Sequence, residues 1–120
     1  MKHDLSAETK QANLLKLLTH PVRIAILQIL RQDEACVCHL EATLGYRQAY
    51  LSQQIAVLRE GGLITDRKDG WNVYYHLINP QVLKILDSMV FLLDESPAQL
   101  PSTSKNCPCP KCNLKNETEN

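Results

Sequence analysis

Residues Glu34–Gly62 read EACVCHLEATLGYRQAYLSQQIAVLREGG, and the pattern within them decides the fold. Leu51, Ile55 and Leu58 recur at i, i+4, i+7, the spacing that puts them on one buried helical face. Ala49, Ser52, Gln53 and Ala56 are thereby turned outward as a row of small, mostly polar side chains. Upstream, Gly45 follows Leu44 where a helix ending in a left-handed residue needs a glycine, and Tyr46-Arg47 leads directly into the next helix. Two helices joined by so tight a turn make a helix-turn-helix pattern. A thiol pair, Cys36 and Cys38, stands at the start of the first helix.

Before this segment come two more helices. The first spans about Ser6 to Leu18 and crowds Leu14, Leu15, Leu17 and Leu18 into its last turns; this cluster serves either to close the core or to form half of a dimer contact. Pro21 then occupies a position that a helix start tolerates, with Thr19 or His20 as the cap. Ile24, Ile26, Leu27, Ile29 and Leu30 make the following helix, to about Gln32, the hydrophobic centre.

After Gly62 the period changes from 3.6 to 2. Leu63–Arg67 and Trp71–Leu77 read as strands, the second alternating Trp71, Val73, Tyr75 and Leu77 with Asn72, Tyr74 and His76. Asp69-Gly70 marks the tight turn between them. A helix-turn-helix followed at once by such a hairpin is a winged helix, so the expected class is mostly α with a small β-hairpin. Beyond Pro80 a helix over about Gln81 to Asp94 is apolar almost all round, which predicts a second face buried in a partner subunit. Residues 1–95 therefore form one domain. Residues 96–120 are expected to be a mobile, cysteine-containing tail, opening on the Pro- and Ser-rich SPAQLPSTSKN.

Composition narrows the function class. With 120 residues and 44% hydrophobic content, the chain can bury one modest core. Its formal net charge is zero, so any affinity for nucleic acid must come from shape and local chemistry rather than from overall charge. No apolar run approaches the roughly 20 residues of a membrane span, and the start MKHDLSAETKQ lacks the apolar core of a signal peptide, which predicts a cytoplasmic protein. Five cysteines, an odd number at tight spacings, fit metal or redox thiols better than a disulfide framework. Nothing reads as a phosphate-cradling loop or a nucleophile elbow, and no enzymatic activity is expected.

The runs THPVRIAILQIL, ACVCHLEATLG, RQAYLSQQIAVLREGGLI and RKDGWNVYYHL, in that order, resemble the ArsR/SmtB family of metal-responsive winged-helix repressors over about Leu14 to Leu93. The resemblance implies a homodimer, formed through the first and last helices, that sits on an operator and leaves it when metal binds. Four features depart from the family pattern. His20 stands where an aspartate cap is common, His39 where aspartate often follows the thiol pair, and Glu41 where arsenic sensors of this type can carry a third cysteine. The cysteine-bearing tail is the fourth.

Two residues apart on a regular helix, Cys36 and Cys38 would point about 200° away from each other, so they can share one ion only where the helix begins. There the unpaired N–H groups would also favour thiolate. Spacing alone favours small buried core residues; the resemblance favours metal ligands. In the tail, Cys109 and Cys112 return to one side of an extended, proline-stiffened backbone, and Cys107 could join them. These three could complete the Cys36/Cys38 site in the same or the other subunit, form a site of their own, or remain unemployed. Thiolates prefer soft or thiophilic ions, among them arsenite, antimonite, cadmium and lead. Between Gln81 and Leu93 only Asp87 offers a ligand, so a zinc- or nickel-type site on the last helix is not expected. His39 is an optional further ligand but reads more simply as a solvated surface residue, and His3, His20 and His76 receive no metal role.

Position by position, the resemblance places Gln48, Ala49, Ser52 and Gln53 at base edges, with Arg47 and Tyr50 nearer the DNA backbone. It puts Arg67 and Lys68 of the wing on phosphate or in the minor groove. The function implied is a repressor on a palindromic operator, released by a soft ion. Two alternatives stand beside it: a thiol redox or persulfide switch of the same fold, and a thiol-rich metal buffer with no operator.

Overall fold

Five helices and a three-stranded antiparallel sheet follow one another along residues 3–94, the part of the chain that this computed structural model describes. Helix α1 spans Ser6–Leu17 and α2 spans Pro21–Gln32; strand β1 is Ala35–Cys36; α3 spans Val37–Leu44 and α4 Gln48–Glu60; β2 is Ile64–Asp69 and β3 Asn72–Leu77; α5 spans Val82–Leu93. The tail, with Cys107, Cys109 and Cys112, lies outside the described residues.

The core forms where the apolar stripes predict it. Ile26, Leu27 and Ile29 of α2 are fully buried and meet Leu40 of α3, Leu51, Ile55 and Leu58 of α4, Ile64 of β2 and Leu86 of α5. At an order of 1.5–3 kcal/mol for each such side chain taken out of water, this cluster outweighs any polar contact at the surface. Arg23 locks the helices from outside the core. Its Nη1 donates to the carbonyls of Lys16 and Leu17 at 3.0 and 3.4 Å, closing the carboxyl end of α1, while its Nε donates to Gln54 of α4 at 2.9 Å. Helix α1 itself buries no residue within the single chain. It approaches the end of α4 closely because Gly61 has no side chain; a methyl group there would stand 2.9 Å from Leu17 Cδ2.

The wing differs from expectation in three respects. Its sheet has three strands in the order β1-β3-β2, because Ala35 and Cys36 pair with Tyr75 and Tyr74 before α3 begins. A two-residue strand is too short to leave a period in the sequence. Second, Asp69 pairs with Asn72, so the turn is centred on Gly70-Trp71, with φ +63° at Gly70. Trp71 is therefore lifted out of the strand and lies fully exposed at the wing tip. Third, both faces of β3 are used: Tyr75 and Leu77 pack on the main core, whereas Tyr74 is buried on the other side with Cys36, Cys38 and Ala42.

Helix α5 is held to α2 by Asp87, which accepts from Arg31 at 2.7 and 3.2 Å. Val82 and Leu86 are buried beneath it, while Phe91, Leu92 and Leu93 remain 87%, 85% and 65% exposed. An apolar cleft of about 280 Å³, lined by Leu14, Leu63, Asn79, Gln81, Val82 and Ile85, lies between this helix and α1. No helix among the described residues is long and apolar enough to cross a membrane.

Candidate effector and nucleic-acid site

Cys36 is both the last residue of β1 and the N-cap of α3, with an extended backbone at φ −84°, ψ 163°. Its sulfur accepts a hydrogen bond from the His39 N–H at 3.3 Å, standing where a serine or aspartate oxygen usually satisfies that orphan donor. The change from strand to helix at this residue removes the 200° divergence of a regular helix. Cys36 and Cys38, with Cα atoms 5.4 Å apart, thus bring their sulfurs together as a disulfide. Cys36 is buried and Cys38 half-buried.

His39 is not the solvated surface residue expected. It is fully buried, and its Nε2 lies 3.4 Å from Thr43 Oγ1. The i, i+4 spacing on α3 turns it inward beside Leu40, and the hydroxyl answers one ring nitrogen. As donors, the two sulfurs suit a soft ion, but no group of three His, Cys, Asp or Glu side chains that could hold a metal occurs among the described residues. Further ligands would have to come from elsewhere, and Cys107, Cys109 and Cys112 are of the right chemistry.

The turn between α3 and α4 has the expected geometry. Gly45 takes φ +78°, ψ 13°, and its N–H closes α3 on the Glu41 carbonyl at 2.9 Å. Arg47 caps α4 in an extended conformation. Arg47, Gln48, Ala49, Ser52 and Gln53 form an exposed face, opposite the buried Leu51, Ile55 and Leu58. Tyr50 is only half-exposed. Its hydroxyl is 3.0 Å from His20 Nε2, and its ring lies 5.3 Å from that of Tyr46. His20 is the cap of α2, its Nδ1 accepting from the Val22 N–H at 3.4 Å.

On the wing, Lys68 is exposed, but the guanidinium of Arg67 is engaged. Its Nε donates to Glu34 Oε2 at 2.8 Å, its Nη2 donates to Glu34 Oε1, and its Cζ stands 4.8 Å from the centre of the Tyr74 ring. The hydrogen bond it donates to Glu34 holds the Arg67 guanidinium above its ordinary value, opposed by desolvation. Glu34 and Tyr74 were absent from the sequence-based candidates. Their partners lie 33 residues along the chain or across a strand, where no local period points.

A buried three-helix core, a helix presenting an exposed polar row after a glycine-closed turn, and a β-hairpin beside it define a winged helix-turn-helix transcriptional regulator. Comparison with known proteins agrees. Residues 20–66 match the profile described as "Bacterial regulatory protein, arsR family". The chain is 38% identical over 81 residues to the biofilm growth-associated repressor of Agrobacterium fabrum, covering 68% of this chain and 69% of that one. It is 40% identical over 78 residues to the arsenical resistance operon repressor of Escherichia coli, covering 62% and 67% of the two chains. Among solved structures, it is similar to the homodimeric winged helix-turn-helix DNA-binding domain of a possible ArsR-family regulator from Mycobacterium bovis, with a TM-score of 0.66, 25% identity, and 78% and 88% of the chains covered. The chain belongs to the ArsR/SmtB family of bacterial transcriptional repressors. It is a regulator, not an enzyme.

Proposed function

We propose that the protein is a homodimeric repressor of a palindromic operator, released when a soft ion of the arsenite, antimonite, cadmium or lead type is held by Cys36 and Cys38. The observation that carries this reading is the convergence of the two sulfurs at the N-cap of α3, the helix on which α4 rests. Thiolates at a helix start benefit from the helix dipole, and soft ions prefer them. Cys107, Cys109 and Cys112 complete the set, being the remaining thiols of the chain.

In the DNA complex, Gln48, Ala49, Ser52 and Gln53 read base edges, Arg47 and Tyr50 lie toward the backbone, and Lys68 meets phosphate. Phe91, Leu92 and Leu93, with the cleft between α1 and α5, supply the apolar surface for the second subunit. Two such subunits would set their α4 helices about 34 Å apart, one turn of the double helix. A repressor of this kind acts where the DNA lies, in the cytoplasm. Emptying a nearly full operator requires about 5 kcal/mol of differential binding, above the usual 1–3 kcal/mol of allosteric coupling, so the operator must be only just saturated without the ion.

The same convergence favours a second reading, in which the pair is oxidised. The two thiols would give up two protons and two electrons to a hydroperoxide, forming the disulfide, an alcohol and water. Operator affinity measured at fixed salt, with and without each ion and with and without the hydroperoxide, separates the two readings. Response to the ion under reducing conditions supports the first; response to the oxidant alone supports the second.

A further inference from the structure

Cys36, Tyr74 and Arg67 form one cross-strand row: Cys36 of β1 is paired with Tyr74 of β3, and Tyr74 with Arg67 of β2. Directly opposed residues share a face of the sheet. Arg67 uses that row to reach over the Tyr74 ring to Glu34, two residues before Cys36. The guanidinium thus spans the whole wing sheet, from the outer strand to the entrance of the thiol strand.

A guanidinium fork that gives two N–H groups to the two oxygens of a carboxylate cannot give the same pair to a phosphate, and the two acceptors suit it comparably well. We propose that Glu34 is an internal competitor for Arg67, holding back the wing guanidinium that operator phosphate would otherwise take. Its place beside Cys36 makes the thiols the control of that grip. Drawing the sulfurs together fixes the strand-to-helix junction and tightens Glu34's hold on Arg67; relaxing the junction loosens that hold without ending it, so Glu34 still competes with DNA in the reduced, ion-free protein. The link to the thiols rests on the proposed effector role of Cys36 and Cys38, whereas the competition between carboxylate and phosphate does not.

The test compares operator affinity of the reduced, ion-free, full-length protein with that of Glu34→Gln over a series of salt concentrations. The competitor predicts binding about 5–10-fold tighter and a log–log salt slope steeper by about 0.9 for each arginine freed. In an Arg67→Gln background the Glu34→Gln change should have no effect. Asp66→Asn removes the same charge from β2, where Asp66 lies 3.7 Å from Arg59, and should not steepen the slope. An unchanged affinity and slope in Glu34→Gln, or an equal gain without Arg67, overturns the proposal. In a second arm with cadmium, Glu34→Gln should keep the thiolate-to-cadmium absorption yet be released less than the parent. Equal release would overturn the link to the thiols. If neither cadmium nor arsenite gives the parent a thiolate-to-ion absorption or releases it, the effector reading falls, and the ion-free comparison still decides the competition.

Discussion

His20 and Tyr50 join the cap of α2 to α4: the Tyr50 hydroxyl lies 3.0 Å from His20 Nε2, while His20 Nδ1 accepts the Val22 N–H. Because Nδ1 is the acceptor, the neutral ring carries its proton on Nε2 and donates it to Tyr50. One imidazole thereby fixes the start of α2 and the first turns of α4. Tyr50→Phe should cost about 1 kcal/mol of stability through this hydrogen bond, and His20→Ala about 1–2 kcal/mol because the cap is lost too. Urea unfolding of the two variants checks both values and their order.

The two faces of α4 should separate stability from DNA binding. Leu58 is fully buried, so Leu58→Ala should destabilise the protein by about 2–5 kcal/mol. Ser52 is exposed on the opposite side, and Ser52→Arg should change stability by no more than about 0.5 kcal/mol while abolishing close approach to the operator. Paired urea titrations and operator shift assays read the two effects independently.

Trp71 gives the wing its own signal. It is the single tryptophan of the chain and lies fully exposed at the hairpin tip. Operator binding that seats the wing against DNA should quench its fluorescence and shift the emission to the blue. Trp71→Phe should remove the signal and leave the fold intact, since the indole contributes no burial.

Acid stability should carry the mark of Asp87. The hydrogen bond from Arg31 holds its carboxyl below the ordinary value of 3.8, with desolvation opposing. A lowered value in the folded state means that the contribution is present above pH 3.8 and is lost as pH falls through the lowered value. Asp87→Asn should therefore flatten the fall in stability below about pH 4, and the parent and variant should show parallel curves at higher pH. Thermal unfolding across a pH series measures this; salt should reduce the difference, because the pair is half-exposed.

Helix α4, its glycine-closed entry and the hairpin were legible in the sequence because each leaves a local mark: Leu51, Ile55 and Leu58 at helical spacing, Gly45 after Leu44, and alternation along β3. Strand β1 was not legible, since two residues cannot display a period and its partners Tyr74 and Tyr75 lie far along the chain. The turn sits one residue further along than Asp69-Gly70 because Gly70-Trp71 offers similar turn chemistry; the cross-strand partner thereby shifts by an even step, so Tyr75 and Leu77 still face the core. Helix geometry allowed Cys36 and Cys38 to converge only at a helix start, and Cys36 stands at one. The burial of His39 and the engagement of Arg67 by Glu34 depend on tertiary packing, which a linear pattern does not encode.

The most direct measurement is the operator affinity of Cys36→Ser, under reducing conditions, with and without arsenite and cadmium. Serine keeps the cap on the His39 N–H and removes the soft donor, so the fold and ion-free DNA binding should persist. The parent should lose affinity by about 5–150-fold when the effective ion is added, and the variant should bind equally tightly in its presence and absence. Release of Cys36→Ser by the ion as readily as the parent would contradict the assignment of the effector to the start of α3.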